Sequence, residues 1–301
     1  MKIEEVIPKD GPSIDEVKKY IEKYKNDLIV IKYGGNVFID RNIFNNFIED
    51  ISILNKLGLS IIIVHGGGPR IERELKKSNI QTKFINGLRV TDKNVINTVE
   101  EVLIDFNNDI VNSLKKLGTE ATSFHTKQDN IIEVEPEKEE LGFVGTPKKI
   151  KSNLIEEALN KNKIPIIAPL GLGKNNQTFN INGDTAASAI AQKLKARRLI
   201  LMTNVEGVYD DKKNLISEIK PFDLDNLIKW KIVEGGMIPK IENCVDAVEN
   251  GVRGVVILDG RKPHSILHEI FSDTGSGTLI PVSYTHLRAH ETREDRVCRL
   301  L

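Results

Sequence analysis

The sequence predicts an α/β protein built on a parallel central sheet with crossover helices, and three observations carry that expectation. Short β-branched or aliphatic runs recur at Leu28 to Ile31, Ile61 to Val64, Ile164 to Pro169, Leu199 to Met202 and Val255 to Leu258, unbroken as in strands covered on both faces. Stretches of helical spacing separate them, as at Phe44, Phe47, Ile48, Ile51 and Leu54. Glycine-rich turns follow the first two runs directly, giving strand, turn, helix, strand, turn, helix, the rhythm of parallel βαβ units.

The chain is organised around Ile61 to Arg70, IIIVHGGGPR. Without a Cβ at Gly66, Gly67 and Gly68 the backbone can turn sharply and let a ligand approach its amides. Pro69 suits the first turn of a helix, where its missing N–H costs nothing. A strand that enters a helix through glycines directs unpaired amides and the helix dipole the same way, which favours an anion. Taken alone, the junction is also compatible with a plain tight turn. Lys32-Tyr33-Gly34-Gly35-Asn36, after the first strand, repeats the arrangement with a cation added. In parallel sheets ligands sit beyond the carboxyl ends of the strands, so both loops are expected to face one crevice.

The remaining elements follow in order. Ser13 and Glu16 have capping-box spacing, and Val17, Tyr20, Ile21 and Tyr24 share one face. Such a helix docks on its own lobe or on a partner subunit. A helix is expected over Ile43 to Leu57 with Gly58 at its C-cap, and another over Val95 to Leu117, capped by Thr91 or Asp92. Residues 129–147 suggest edge hairpins, their acidic run Glu133 to Glu140 solvated. A short helix is expected over Leu154 to Asn160. Gly171 to Asn176 reads as a flexible loop and the boundary of a lobe. Asp184 precedes the alanine-rich TAASAIAQKL, where it can serve as N-cap. Gly235 and Gly236 precede the last helix expected, Ile241 to Asn250, with Lys240 at its start.

Composition narrows the function. The 301 residues carry 43 basic and 43 acidic side chains, so no global field favours nucleic acid or an anionic membrane, and any anion site must be local. The longest apolar runs are strand-sized and the N-terminus lacks a signal peptide's apolar core, so the expectation is a cytoplasmic protein. Cys244 and Cys298 have neither metal-ligand spacing nor a disulfide framework. No P-loop is present, and no G-x-G-x-x-G follows a strand. Lys32 and Lys240 each adjoin a glycine-rich turn in opposite halves of the chain. Separately they read as surface charges; aimed at one crevice they would neutralise a phosphoryl group in transfer. Arg89 reads either as a structural salt bridge or as a clamp on a carboxylate.

The segments IKYGGN, IIIVHGGGP, NGLRVTD, ELGFVGTP, FNINGDTAASAIA, LMTNVEGVYD and EGGMIPK resemble, in order, those of the amino acid kinase family over about residues 27 to 280, and GLRVT and NINGD resemble its acetylglutamate branch. The resemblance implies an open three-layer αβα sandwich with a helical arm over 1–26, a substrate lobe over 27–175 and a nucleotide lobe over 176–281. It also implies transfer of the γ-phosphoryl of ATP, accompanied by magnesium (Mg2+), to the side-chain carboxylate of N-acetyl-L-glutamate. By position, Lys32 and Lys240 match transition-state lysines and Asp184 the carboxylate holding them. Gly67, Gly68, Arg89 and Asn180 match substrate contacts, while Gly34, Gly35, Thr203, Asn204, Gly207 and Gly236 match nucleotide-site positions. No protein ligand to the metal is implied. A carboxylate nucleophile is ionised at neutral pH and needs no general base, so His65 reads as structural.

Family members inhibited by arginine resemble this chain in carrying an N-terminal helix that joins dimers into a hexamer. Residues 13–25 fit that description, and Glu269 and Gly275 match arginine-site positions, although Val256 stands where those enzymes usually have histidine. A homo-oligomer, dimer or hexamer, is therefore expected. Residues 282–301 have no counterpart in the family and read as appended or read-through sequence. Two rivals stand beside this reading: a kinase for another acid, such as glutamate or an aminoadipate derivative, and a non-catalytic ligand sensor.

Overall fold

A computed structural model describes residues 3–34 and 40–282. Gly35, assigned above to the nucleotide site, and the tail from 283 onward lie outside the described residues.

Seven strands form the central sheet, and six are parallel. In chain order they are β1 (Leu28–Tyr33), β2 (Ser60–His65), β5 (Ala121–Phe124), β8 (Ile164–Ile167), β11 (Arg198–Thr203), β12 (Gly254–Asp259) and the antiparallel β13 (Thr278–Pro281). Across the sheet the order is β13-β12-β11-β1-β2-β8-β5. The chain proceeds from β1 to β2 on one side and returns later to place β11 on the other, so the strand order reverses beside β1. Such a switch point opens a crevice at the carboxyl ends of its strands, here at Lys32 and Thr203.

Strand alternation builds the two covered faces. Val30, Ile62 and Val64 point into one core with α5 (Ser152–Asn160), α6 (Gly183–Lys193), α7 (Leu224–Lys229) and α8 (Met237–Glu249). Ile29, Ile31, Ile61 and Ile63 point into the other with α1 (Ile14–Tyr24), α2 (Arg41–Lys56), α4 (Lys93–Lys116) and α9 (Ser265–Phe271). The result is the three-layer αβα sandwich expected, and its sheet runs without a break across the proposed lobes, joined at β1 and β11. The remaining helix α3 (Gly68–Lys77) packs on α4 around Leu75, Val99 and Leu103.

Two N-cap expectations hold, with Ser13 and Glu16 forming a reciprocal capping box on α1 and Asp92 rather than Thr91 capping α4, whereas the C-cap of α2 is Leu57, with Gly58 one residue beyond at positive φ. The apolar face of α1 docks on its own chain, burying Val17, Tyr20 and Tyr24. Its Lys19 and Tyr20 reach Asp273 beyond α9, at 2.8 and 2.6 Å.

A smaller four-stranded sheet holds β6 (Ile132–Pro136), β7 (Gly145–Ile150), β9 (Leu170–Leu172) and β10 (Thr178–Asn180). Here Gly171 departs from the flexible loop expected. It pairs with Phe179 across β9 and β10, and a Cβ there would press on Val134 and the Ile132 carbonyl, so this glycine serves close strand packing. A two-stranded hairpin, β3 (Phe84–Ile85) and β4 (Leu88–Arg89), turns through Asn86 and Gly87, both at positive φ, as a two-residue hairpin requires. No helix among the described residues is long and apolar enough to cross a membrane.

Candidate active site

Three junctions meet at the crevice. Lys32, next to last in β1, lies with its ammonium over the backbone of Gly34, where any Cβ would overlap its Nζ and Cε. Beside it, β2 leaves through Gly66, whose N–H donates to the Tyr33 carbonyl at 2.7 Å and ties the second loop to the end of β1. Gly67 is the N-cap of α3 and supplies no side-chain cap. The first amides of that helix therefore retain the capacity to hold an anion. The third junction is the start of α6, where Gly183 passes over the Lys32 stem so closely that a Cβ would sit 3.2 Å from Lys32 Cε.

Asp184 gathers the two lysines. Its N-cap alternative is corrected: Asn182 caps α6, accepting from the Asp184 and Thr185 amides at 2.9 and 3.2 Å, which leaves the Asp184 carboxylate for other partners. Lys32 Nζ lies 2.8 Å from Asp184 Oδ1, and Lys240 Nζ, from the first turn of α8, donates to Asp184 Oδ2. All three side chains are at least four-fifths buried. Burial alone would raise the Asp184 pKa; the attraction of Lys32 and then Lys240, with hydrogen bonds from both, outweighs it and holds the carboxyl well below the usual carboxylate range. Two ammonium groups on one carboxylate leave a net positive charge at the crevice.

A cavity of about 240 Å³ opens from this cluster, lined by Lys32, Gly66, Gly67, Gly68, Arg89, Asn180 and Asp184 among others. Arg89 makes the structural salt bridge of its first alternative and also borders the cavity. It donates from Nη1 to Glu72 Oε2 at 2.9 Å and stacks 4.6 Å from the centre of the Phe84 ring. The Thr82 hydroxyl donates to the same Glu72 oxygen at 3.0 Å, so a half-buried acid on α3 fixes the arginine's orientation. Asn180 Nδ2 donates to Thr91 Oγ1 at 3.3 Å, which leaves its carbonyl oxygen as an acceptor.

The other expected residues lie apart from this cavity. Thr203 ends β11 beside Asp259, and its hydroxyl donates to Asn204 Oδ1 at 3.3 Å. Gly236 is exposed at the N-cap of α8. Gly207 is buried at φ +153°, its missing side chain replaced by Thr278 and Leu215. On the opposite face of the sheet, Glu269 Oε2 accepts the Ser276 amide at 2.7 Å and the Gly275 amide donates to Ser272 Oγ at 3.1 Å. Glu269, in the last turn of α9, is thereby tied to the following turn, which carries both Gly275 and Asp273.

His65 is fully buried and burial lowers its pKa to about 4, so the ring is neutral and lies outside the cavity lining. Cys244, one turn beyond Lys240, is buried with its thiol pKa pushed up by burial. Sequence reasoning missed Glu72 and Asn182. A cap residue two positions before Asp184 was a usable signal; Glu72, partnered with a residue in a separate hairpin, offered none.

The sequence model of the amino acid kinase family matches residues 27–259. An acetylglutamate kinase of Pelagibacter ubique is 55% identical over 275 residues, covering 91% of this chain and 96% of its own length. One from Clostridioides difficile is 46% identical, covering 88% and 94%. Among solved structures, N-acetylglutamate synthase from Neisseria gonorrhoeae, complexed with coenzyme A and N-acetyl-glutamate, superimposes with a TM-score of 0.81 at 22% identity over 90% of this chain and 64% of its own. Carbamate kinase from Giardia lamblia gives 0.62 at 14% identity, covering 85% and 98%. Identities that low speak to the fold alone. The family match and the full-length relatives together place this chain in the amino acid kinase family.

Proposed function

We propose that this enzyme transfers the γ-phosphoryl group of ATP to the side-chain carboxylate of N-acetyl-L-glutamate, forming N-acetyl-L-glutamyl 5-phosphate for arginine biosynthesis. The observation that carries the mechanism is the convergence of Lys32 and Lys240 on Asp184 at the edge of the glycine-lined cavity. The nucleophile is already an anion, so the barrier lies in bringing it to a second anion. Lys32 and Lys240, with the amides of Gly67 and Gly68, answer that repulsion. Asp184 keeps the ammonium groups together while leaving their net charge positive. Arg89 binds the substrate's α-carboxylate and the Asn180 carbonyl accepts from its acetamido N–H.

On the nucleotide side, residues 176–281 form the ATP lobe, with Gly34, Thr203, Asn204, Gly207 and Gly236 near the nucleotide. Asp184 already serves two ammonium groups, and among the described residues no cluster of three acidic, histidine or cysteine side chains suits a metal. That donor set fits magnesium carried on nucleotide phosphates rather than in a protein cage. When bound there, magnesium offsets charge on the β- and γ-phosphates.

The test is incubation with ATP, magnesium and a panel of acids, trapping acyl phosphate with hydroxylamine. Hydroxamate from N-acetyl-L-glutamate and little from glutamate or acetylaminoadipate is expected; the reverse preference, or none at all, overturns the assignment. We also propose a cytoplasmic homo-oligomer, joined as a hexamer through residues 13–25 and inhibited by arginine at Glu269 and Gly275. Because the apolar face of α1 is buried on its own chain, contacts with a second subunit would use its polar face. Sizing with and without residues 1–25, plus an arginine titration, tests both; a dimer indifferent to arginine refutes the pair.

A further inference from the structure

Beneath the glycine loop runs a buried chain of hydrogen bonds whose polarity is determined from its far end. Ser123 Oγ, on β5, donates to Asn107 Oδ1 at 2.5 Å, and Asn107 Nδ2, on α4, donates to the Ile166 carbonyl at 3.0 Å. A carbonyl can only accept, so these two contacts fix which end of the Asn107 amide is nitrogen. The same nitrogen lies 3.2 Å from His65 Nε2, which must then be the unprotonated acceptor. The neutral ring carries its proton on Nδ1, and Nδ1 lies 2.9 Å from the Gly66 carbonyl oxygen.

That last contact controls the loop. The peptide between Gly66 and Gly67 is planar and trans, so its carbonyl and its N–H point in opposite directions. With the carbonyl held on buried His65, the Gly67 N–H points the opposite way, in a loop whose Gly66, Gly67 and Gly68 line the cavity. Between two glycines this peptide could rotate with little steric resistance, and a rotated peptide would present a carbonyl oxygen to an incoming phosphate. We propose that His65 is a positioning residue that locks the Gly66–Gly67 peptide, keeping an N–H rather than a C=O toward the transferred phosphoryl group. The inference rests on the phosphoryl-transfer function proposed above.

Kinetics and spectroscopy test it together. An asparagine side-chain N–H occupies roughly the place of Nδ1–H, whereas glutamine reaches toward the place of Nε2. His65→Asn should keep kcat within about threefold of wild type, one neutral donor replacing another. His65→Gln should lower kcat by about 10- to 100-fold, as for a misplaced oxyanion-type donor, with the two variants melting at similar temperatures. Asn107→Asp supplies a pH readout that a merely structural role would not move. A carboxylate facing Nε2 draws the proton from Nδ1, so kcat should fall at alkaline pH and recover on acidification, when the imidazolium donates from both nitrogens. Arg70 on α3 and His125 after β5 are the other charged or titratable groups acting on this ring, and both remain in every variant. Nitrogen-15 NMR of the histidines, with His65 assigned by its loss in His65→Asn, should show the Nδ1–H tautomer in wild type. Equal kcat in His65→Asn and His65→Gln, an Asn107→Asp profile parallel to wild type, or an Nε2–H tautomer overturns the proposal. An inactive wild type would overturn the proposed function, and the tautomer would still decide this inference.

Discussion

Asp184 Oδ1 and Lys32 Nζ lie 2.8 Å apart, joining the first turn of α6 to the end of β1 across the switch point of the sheet. Lys240 takes the other carboxylate oxygen, so one acid links three elements. Asp184→Asn should leave two nearby ammonium groups uncompensated, lowering stability by about 3 kcal/mol and kcat by at least about 100-fold. The folded carboxyl is held below its ordinary value, so its contribution is present above the unfolded pKa near 4 and is lost as pH falls below that. Denaturant melts should show a constant gap between wild type and Asp184→Asn from neutral pH to about pH 5, narrowing only below.

Gly34→Ala should disturb chemistry more than folding. Its methyl group would occupy the place of Lys32 Nζ and Cε, so the side chain must leave its position beside Asp184. A fall in kcat of about tenfold or more is expected, with a modest change in melting temperature. Gly68→Ala is the contrast. Its Cβ meets nothing within 4 Å, so stability should hold while the methyl group, beside the cavity, raises KM for the acid.

If Arg89 binds the substrate carboxylate as proposed, Arg89→Lys should raise KM for N-acetyl-L-glutamate by about 10- to 100-fold, because an ammonium cannot hold both Glu72 and that carboxylate as a guanidinium fork does. Glu72→Gln keeps an acceptor for Arg89 and should raise KM by only about threefold. Initial rates at saturating ATP separate the two.

The N-terminal arm should loosen as pH rises. His264 Nδ1 lies 2.6 Å from buried Asp50 Oδ1 on α2, and its Nε2 faces Asp10 at 3.5 Å. His268 also contacts the Asp10 carbonyl, while Glu49 adds a nearby negative charge. The Asp50 hydrogen bond, outweighing burial, raises the His264 pKa. A raised histidine pKa gives stability that is complete below the ordinary value near 6.5 and is lost as pH climbs through the folded pKa. Proteolysis within residues 3–13 should therefore accelerate from about pH 6.5 upward, and Asp50→Asn should remove the dependence.

Much of the frame was legible because it rests on local signals. The β-branched runs gave five of the seven central strands, missing the short β5 and the antiparallel β13, and Ser13 with Glu16 gave the first cap, since both signals depend on residues close in sequence. The switch-point rule placed Lys32 at the crevice. What escaped depends on distant partners. Gly171 resembled a loop because nothing nearby reveals that Phe179 pairs with it. Asp184 resembled an N-cap until Asn182 took that role. The pairs Glu72 with Arg89, Asn107 with His65 and Asp50 with His264 join separate elements, and no periodicity encodes them.

Single-turnover phosphoryl transfer by Lys240→Ala, measured with saturating N-acetyl-L-glutamate and ATP, tests the role of the paired lysines most directly. A rate lower by about 100-fold or more, with substrate affinities changed little, is predicted for a charge that acts on the phosphoryl group in transit. A rate equal to wild type would contradict it.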